Sequence, residues 1–373
     1  MSPWIVVSAN SLWNIANFRT GLLSAIEAAG YPVMVAAPYD GASLPTGSRH
    51  EIRSLPIDRS GLNPFADALL VLRYYRLLKE NRPAAFLSFT IKPNIYGSFA
   101  ARMAGVPAIA NVSGLGTSFI RGGLLARFIG ALYRLAFARA HKVFFQNPDD
   151  RRLFLERGIV REDRTGLLPG SGIDLDRFSP AGPAPDGPPI FLLIARLLAD
   201  KGVREFVEAA AIVRARHPEA RFQLLGGLDP GNRTAIGEEE VRQWGREGIV
   251  EYLGPTDDVR PYIARASAVV LPSYREGLPR SLLESAAMGR PLIATDVPGC
   301  REIVKDGQTG LLCQVRSAAS LAAAMARFAE MGVDQREALG KAARAKVEAE
   351  FSERAVIDAY LDVLKSLVRR EGE

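Results

Sequence analysis

Arg196, Lys201, Glu276 and Glu284, all in the second half of the chain, have types and spacing suited to a phosphorylated ligand. Arg196 and Lys201 follow a short apolar run, and Gly202 opens a helical pattern. Two cations beside free backbone N–H groups suit a diphosphate. The same residues also fit a surface ion pair with Asp200 or Glu205. Glu276 and Glu284 belong to the segment 272–289, where Pro279 suits a first helical turn and Gly289 a helix end. Glu276 then falls in the loop before a helix, Glu284 about a turn and a half inside it, and the N–H groups near Gly277 and Leu278 are open to phosphate oxygens. Carboxylates on the order of 10 Å apart could accept hydrogen bonds from hydroxyls at opposite ends of a nucleotide sugar. Alternatively, Glu276 complements the helix dipole and Glu284 is a solvated residue.

A second polar group follows predicted strands in the first half. Asn14 and Arg19 lie in 10–19, where Asn17 suits a helix cap. Arg19, on the first turn, would oppose the helix dipole at a cost of a few tenths of a kcal/mol, so an anionic partner is expected there. Thr90, Lys92 and Asn94 lie in 88–98, and Ser113 in the loop 111–117.

These residues need strand ends to hold them. Apolar runs at 4–8, 32–36, 85–89, 108–112 and 142–146, then at 190–195, 221–225, 249–253, 268–272 and 291–294, alternate with helical patterns such as Asn17 to Ala29, closed by Gly30. That rhythm predicts βαβ units and parallel sheets. The Pro- and Gly-rich stretch 179–189 reads as a linker. The expected organisation is one domain over 1–180, a second over 181–351, and a last helix, 352–373, packing back on the first. Two doubly wound (Rossmann-like) domains would face a cleft, with ligands beyond the carboxyl ends of the strands.

The chain has 373 residues, 48% of them hydrophobic, enough for two cores and too many for a disordered protein. Two cysteines, Cys300 and Cys313, allow no disulfide framework, and His50, His141 and His217 lack metal-ligand spacing, so no metal or resident cofactor is expected. The N-terminus reads as a strand rather than a signal peptide, and no apolar run reaches the roughly 18 residues of a membrane span, so a cytoplasmic location is expected. The net charge of +6 is uneven. Residues 1–180 carry 21 Lys+Arg against 13 Asp+Glu, and between Arg59 and Lys142 there are 12 basic residues against 2 acidic. That stretch calls for an anionic partner. No recognition module or aromatic platform accompanies the charge, which argues against nucleic acid. The segment 121–139, apolar at helical spacing with Arg127, Arg134 and Arg139, fits either a core helix with a basic side or a peripheral contact with anionic lipid.

The Glu-x7-Glu element, Arg196, Lys201 and the run from Ala294 to Leu312 resemble the donor half of the family 4 retaining glycosyltransferases, which have the GT-B fold. The resemblance implies that Arg196 and Lys201 hold the diphosphate of a nucleotide sugar, UDP-linked. It further implies that Glu276 contacts the transferred sugar, that Glu284 binds the ribose, and that the base lies near Tyr252 and Leu253. Such enzymes need no divalent metal. The loops around Thr90 and Ser113 resemble the subgroup that extends sugars on undecaprenyl diphosphate, including bacterial N-acetylgalactosaminyl transferases. This implies a lipid-linked saccharide acceptor on the inner face of the plasma membrane. Many members carry a histidine where this chain has Ser113-Gly114. A soluble acceptor, such as a sugar phosphate or thiol precursor, and a non-catalytic nucleotide-sugar sensor are the rival readings.

Overall fold

The computed structural model describes residues 3–44, 50–58, 63–115, 123–183, 185 and 187–371. The chain forms two units, 1–172 with 353–373, and 173–352. It passes into the second unit at Ile173, earlier than the proline-rich stretch suggests, because Ile173 and Phe178 already pack in that unit's core. Among the described residues no helix is long and apolar enough to cross a membrane.

In the first unit, strands β1 (Ile5–Ser8), β2 (Val33–Ala37), β3 (Glu51–Ser54), β4 (Ala85–Phe89), β5 (Ala108–Val112), β6 (Lys142–Phe145) and β7 (Thr165–Leu167) form one parallel sheet in the order β3-β2-β1-β4-β5-β6-β7. The inner strands read as unbroken apolar runs because both faces are covered. Ile5 and Val7 join one core and Val6 the other, as the pleat requires. On the first side lie the helices Leu12–Phe18, Thr20–Ala28 and Glu353–Glu371. The last was expected to return to this domain and does so, burying Val356, Tyr360, Leu364 and Leu367.

The second unit repeats the plan with β8 (Ile190–Ile194), β9 (Arg221–Leu225), β10 (Glu251–Gly254), β11 (Ala268–Leu271), β12 (Leu292–Thr295) and β13 (Gly310–Cys313), all parallel, in the order β10-β9-β8-β11-β12-β13. Cys300 and Cys313 are both buried and unbridged.

The sequence patterns miss β3, β7 and β13. Each is a sheet edge of three or four residues, without the long doubly buried run that marks a central strand. The helix expected over 17–29 is two helices. Ser11, not Asn17, caps the first, its Oγ accepting from the Asn14 N–H at 3.0 Å, and Asn17 lies inside that helix with its amide donating to Trp13 O. Gly30 does close the second helix, at φ +90°.

Candidate functional site

In each unit the strand order reverses between two neighbouring strands, β1/β4 and β8/β11. Ligands of doubly wound sheets bind beyond the carboxyl ends at such a point. Most of the candidate residues follow these four strands, while Ser113 follows β5 and Tyr252 and Leu253 lie on β10.

At the second unit's switch point, Arg196 follows β8 and Lys201 closes a one-turn 3₁₀ helix, Ala199–Lys201. Gly202 then starts the helix Val203–Arg214 at φ +71°, where a Cβ would stand 2.1 Å from the Pro272 carbonyl oxygen. Only glycine lets the loop after β8 press this closely on the loop after β11. Across that contact Lys201 Nζ donates to Glu276 Oε1 at 2.5 Å, both side chains largely buried. Arg196, more than half exposed, pairs with Asp229 at 2.7 Å. The expected alternatives for these cations are not realised: Asp200 lends its carbonyl to the Tyr274 N–H and Glu205 accepts from the Tyr274 hydroxyl. Burial, then that carboxylate, pushes the Tyr274 hydroxyl up to about 12.

Glu276 is also held from behind, its N–H donating to Pro298 O at 3.2 Å. Gly299, at φ +89°, leaves room where a Cβ would lie 2.7 Å from the Glu276 backbone oxygen. Gly277 and Leu278 are buried just before the helix Arg280–Ala287, whose cap residue Pro279 offers no side-chain acceptor. Glu284 lies inside that helix, paired with Arg280 at 3.1 Å. Burial pushes its carboxyl above the usual carboxylate range against the pull of Arg280 and Arg177. Tyr252 and Leu253 lie on the edge strand β10, and the Tyr252 hydroxyl donates to Gly226 O. Two cations, a carboxylate and a helix start at one switch point can hold a diphosphate and hydrogen-bond a sugar. Among the described residues no cluster of three or more His, Cys, Asp or Glu could hold a metal ion.

The β1/β4 end is more self-contained. Asn14 lies in the first helix with its side-chain oxygen buried and unpartnered. Arg19 is buried at the joint of the two helices, its guanidinium 4.1 Å from the Phe89 ring centre. The ring gives the cation a favourable contact within the fold, so the dipole argument alone does not demand an anion there. Thr90 holds a left-handed backbone, φ +73°, and its Oγ1 accepts from the Asn10 N–H. Lys92 pairs with Asp67 at 2.7 Å, and the Tyr96 hydroxyl donates to the same carboxylate. Asn94 is buried between Ser88 and the Asn111 carbonyl. Ser113 lies past the end of β5, half-buried, while the rest of its loop from 116 lies outside the described residues.

Sequence reasoning passed over Asp229 and Asp67. Asp67 carried a signal, being one of two acids in the basic stretch, and Asp229 follows a Gly-Gly pair after a strand. Asn111, placed at the start of the loop around Ser113, lies on β5 instead, buried against Asn94 and Tyr360.

Two Rossmann-like units with switch-point sites define the GT-B class. A sucrose-phosphate synthase from Thermosynechococcus elongatus has the same fold, with a TM-score of 0.81 over 99% of this chain and 100% of that one at 20% identity. Residues 15–170 match the glycosyl transferase 4-like domain and residues 188–331 the glycosyl transferases group 1 domain. The chain therefore belongs to the family 4 glycosyltransferases. It is 29% identical, over 95% of its length and 96% of the relative's, to N,N'-diacetylbacillosaminyl-diphospho-undecaprenol alpha-1,3-N-acetylgalactosaminyltransferase of Campylobacter jejuni. It is 25% identical, over 71% of each chain, to UDP-Gal:alpha-D-GlcNAc-diphosphoundecaprenol alpha-1,3-galactosyltransferase of Escherichia coli.

Proposed function

We propose that this chain is a retaining, metal-independent transferase that moves a hexose or N-acetylhexosamine from a UDP-sugar to a saccharide carried on undecaprenyl diphosphate. It would work in bacterial glycan assembly, in the cytoplasm at the inner face of the plasma membrane. The observation that carries this reading is the contact of Lys201 with Glu276 at the β8/β11 switch point. The end-to-end likeness to a relative whose acceptor is lipid-linked supports the acceptor class.

In this reading Arg196 and Lys201 leave their carboxylate partners for the donor's diphosphate. They stabilise the negative charge that grows there as the bond to the anomeric carbon breaks. Glu276, released from Lys201, accepts hydrogen bonds from the transferred sugar, and Glu284 from the ribose. The acceptor hydroxyl attacks on the face the diphosphate leaves, and its proton passes to the departing phosphate oxygen. Asn14, Arg19, Thr90, Lys92, Asn94 and Ser113 serve the acceptor.

Incubation with a panel of nucleotide sugars tests this, using either a short-chain polyprenyl-diphosphate saccharide in detergent or a soluble sugar phosphate as acceptor. Nucleotide release coupled to lipid glycosylation, with the donor's anomeric configuration kept, is expected. Transfer to the sugar phosphate instead overturns the lipid-linked acceptor, and binding without turnover overturns the enzyme.

A further inference from the structure

One face of the seven-stranded sheet is covered by the helices Pro64–Asn81, Ser98–Ala104 and Gly123–Phe137. Their inward residues, among them Leu70, Tyr74, Leu78, Tyr133 and Phe137, account for the core. Their outward residues remain unexplained. Phe65 is 87% exposed, and Leu69, Leu72, Met103, Phe128 and Leu135 are exposed as well.

On Pro64–Asn81 the exposed positions Phe65, Leu69, Leu72, Arg76 and Lys79 recur at helical spacing, so one stripe begins apolar and ends cationic. Gly123–Phe137 repeats the mixture, with exposed Arg127 and Arg134 beside Phe128 and Leu135. The three helices contain two acids, Asp67 and Glu80, and Asp67 is buried in its contacts with Lys92 and Tyr96. The helix Glu353–Glu371, on the other face, mixes both signs.

A protein-binding patch is depleted of charge at its core, and an ordinary soluble surface intersperses both signs. Large apolar side chains set among cations, with almost no acid, match an anionic lipid surface. We propose that the outward face of Pro64–Asn81 is an interfacial anchor. Phe65, Leu69 and Leu72 enter the boundary between headgroups and acyl chains, while Arg76 and Lys79, with Arg127 of the helix Gly123–Phe137, meet the lipid phosphates. The inference rests on the lipid-linked reading above and deepens it by assigning the element that touches the bilayer. The same helix carries Asp67, which holds Lys92 and Tyr96, so anchor and candidate acceptor loop pack as one piece.

Leu69→Trp tests the anchor directly, with the wild-type spectrum subtracted for Trp4, Trp13 and Trp244. Vesicles of equal parts phosphatidylglycerol and phosphatidylcholine should shift its emission to the blue, and brominated acyl chains should quench it. Pure phosphatidylcholine should do neither. A Phe65→Ser, Leu69→Ser, Leu72→Ser triple variant should bind the anionic vesicles about tenfold more weakly or worse, with unchanged turnover on the detergent-solubilised acceptor. Absence of quenching, wild-type vesicle binding by the triple variant, or lipid-free self-association that the triple variant abolishes would each overturn the anchor. Glycosylation of the detergent-solubilised lipid acceptor without vesicle binding overturns the anchor alone. Anchoring by a protein that cannot glycosylate that acceptor upholds the anchor and overturns only the functional reading.

Discussion

Lys201 Nζ stands 2.5 Å from Glu276 Oε1, joining the turn after β8 to the loop after β11. In the same loop after β8, Arg196 is tied to Asp229. Both cations are thus neutralised within the protein, and on the reading proposed above an incoming diphosphate would compete with the carboxylates for them. On the same reading, that exchange would let Glu276 turn to the sugar.

Lys201→Ala and Arg196→Ala should each lose a charge-assisted contact worth about 1.5 to 3 kcal/mol, or roughly 10- to 200-fold in turnover. Their effects on stability should differ. Arg196 is mostly exposed and its loss should be nearly silent in urea unfolding, whereas Lys201→Ala takes a cation away from the largely buried Glu276 carboxylate. Wild-type turnover in both variants would show that the donor site lies elsewhere.

Turnover should persist in EDTA. Arg196, Lys201 and the start of the helix Arg280–Ala287 supply positive charge at the donor end, the task a divalent ion performs in other transferases. Loss of activity in EDTA, restored by magnesium or manganese, would contradict this assignment.

The doubly wound sheets and the positions of the candidate donor residues were legible because they depend on local signals. Buried central strands announce themselves as apolar runs, and Glu276 and Glu284 are fixed by a helix start between them at Pro279-Arg280. The acceptor end was not legible in the same way. Arg19 and Lys92 read as free cations, yet Arg19 lies against the Phe89 ring and Lys92 pairs with Asp67, far along the chain, and only tertiary packing brings these together. The helix expected at 17–29 failed because Ser11 competes better as a cap than Asn17, whose side chain bonds back within its own helix.

Tyr360→Phe should destabilise the first unit. The hydroxyl accepts from Asn111 Nδ2 at 2.9 Å, and both side chains are fully buried, so the substitution strands an amide donor at a cost of about 1 to 3 kcal/mol. The ring keeps its contacts with Phe89 and Phe144, so the loss should stay well below that of Tyr360→Ala. Urea unfolding checks the order. Equal losses in the two variants would mean that packing of the ring contributes little.

Glu284 gives a pH-dependent prediction. Burial raises its carboxyl, with Arg280 and Arg177 opposing. A carboxyl that binds its proton more tightly folded than unfolded contributes stability that is full below the unfolded pKa. That contribution is lost as pH rises through the folded one. Glutamine keeps the shape and an acceptor oxygen but has no proton to lose. Comparing wild type with Glu284→Gln, the difference in urea midpoint should therefore move in favour of the variant as pH rises above the unfolded value of about 4.3. Movement the other way would mean that the ion pair with Arg280 outweighs burial, and that Glu284 is held as a structural carboxylate rather than kept in reserve for a ligand's hydroxyl groups.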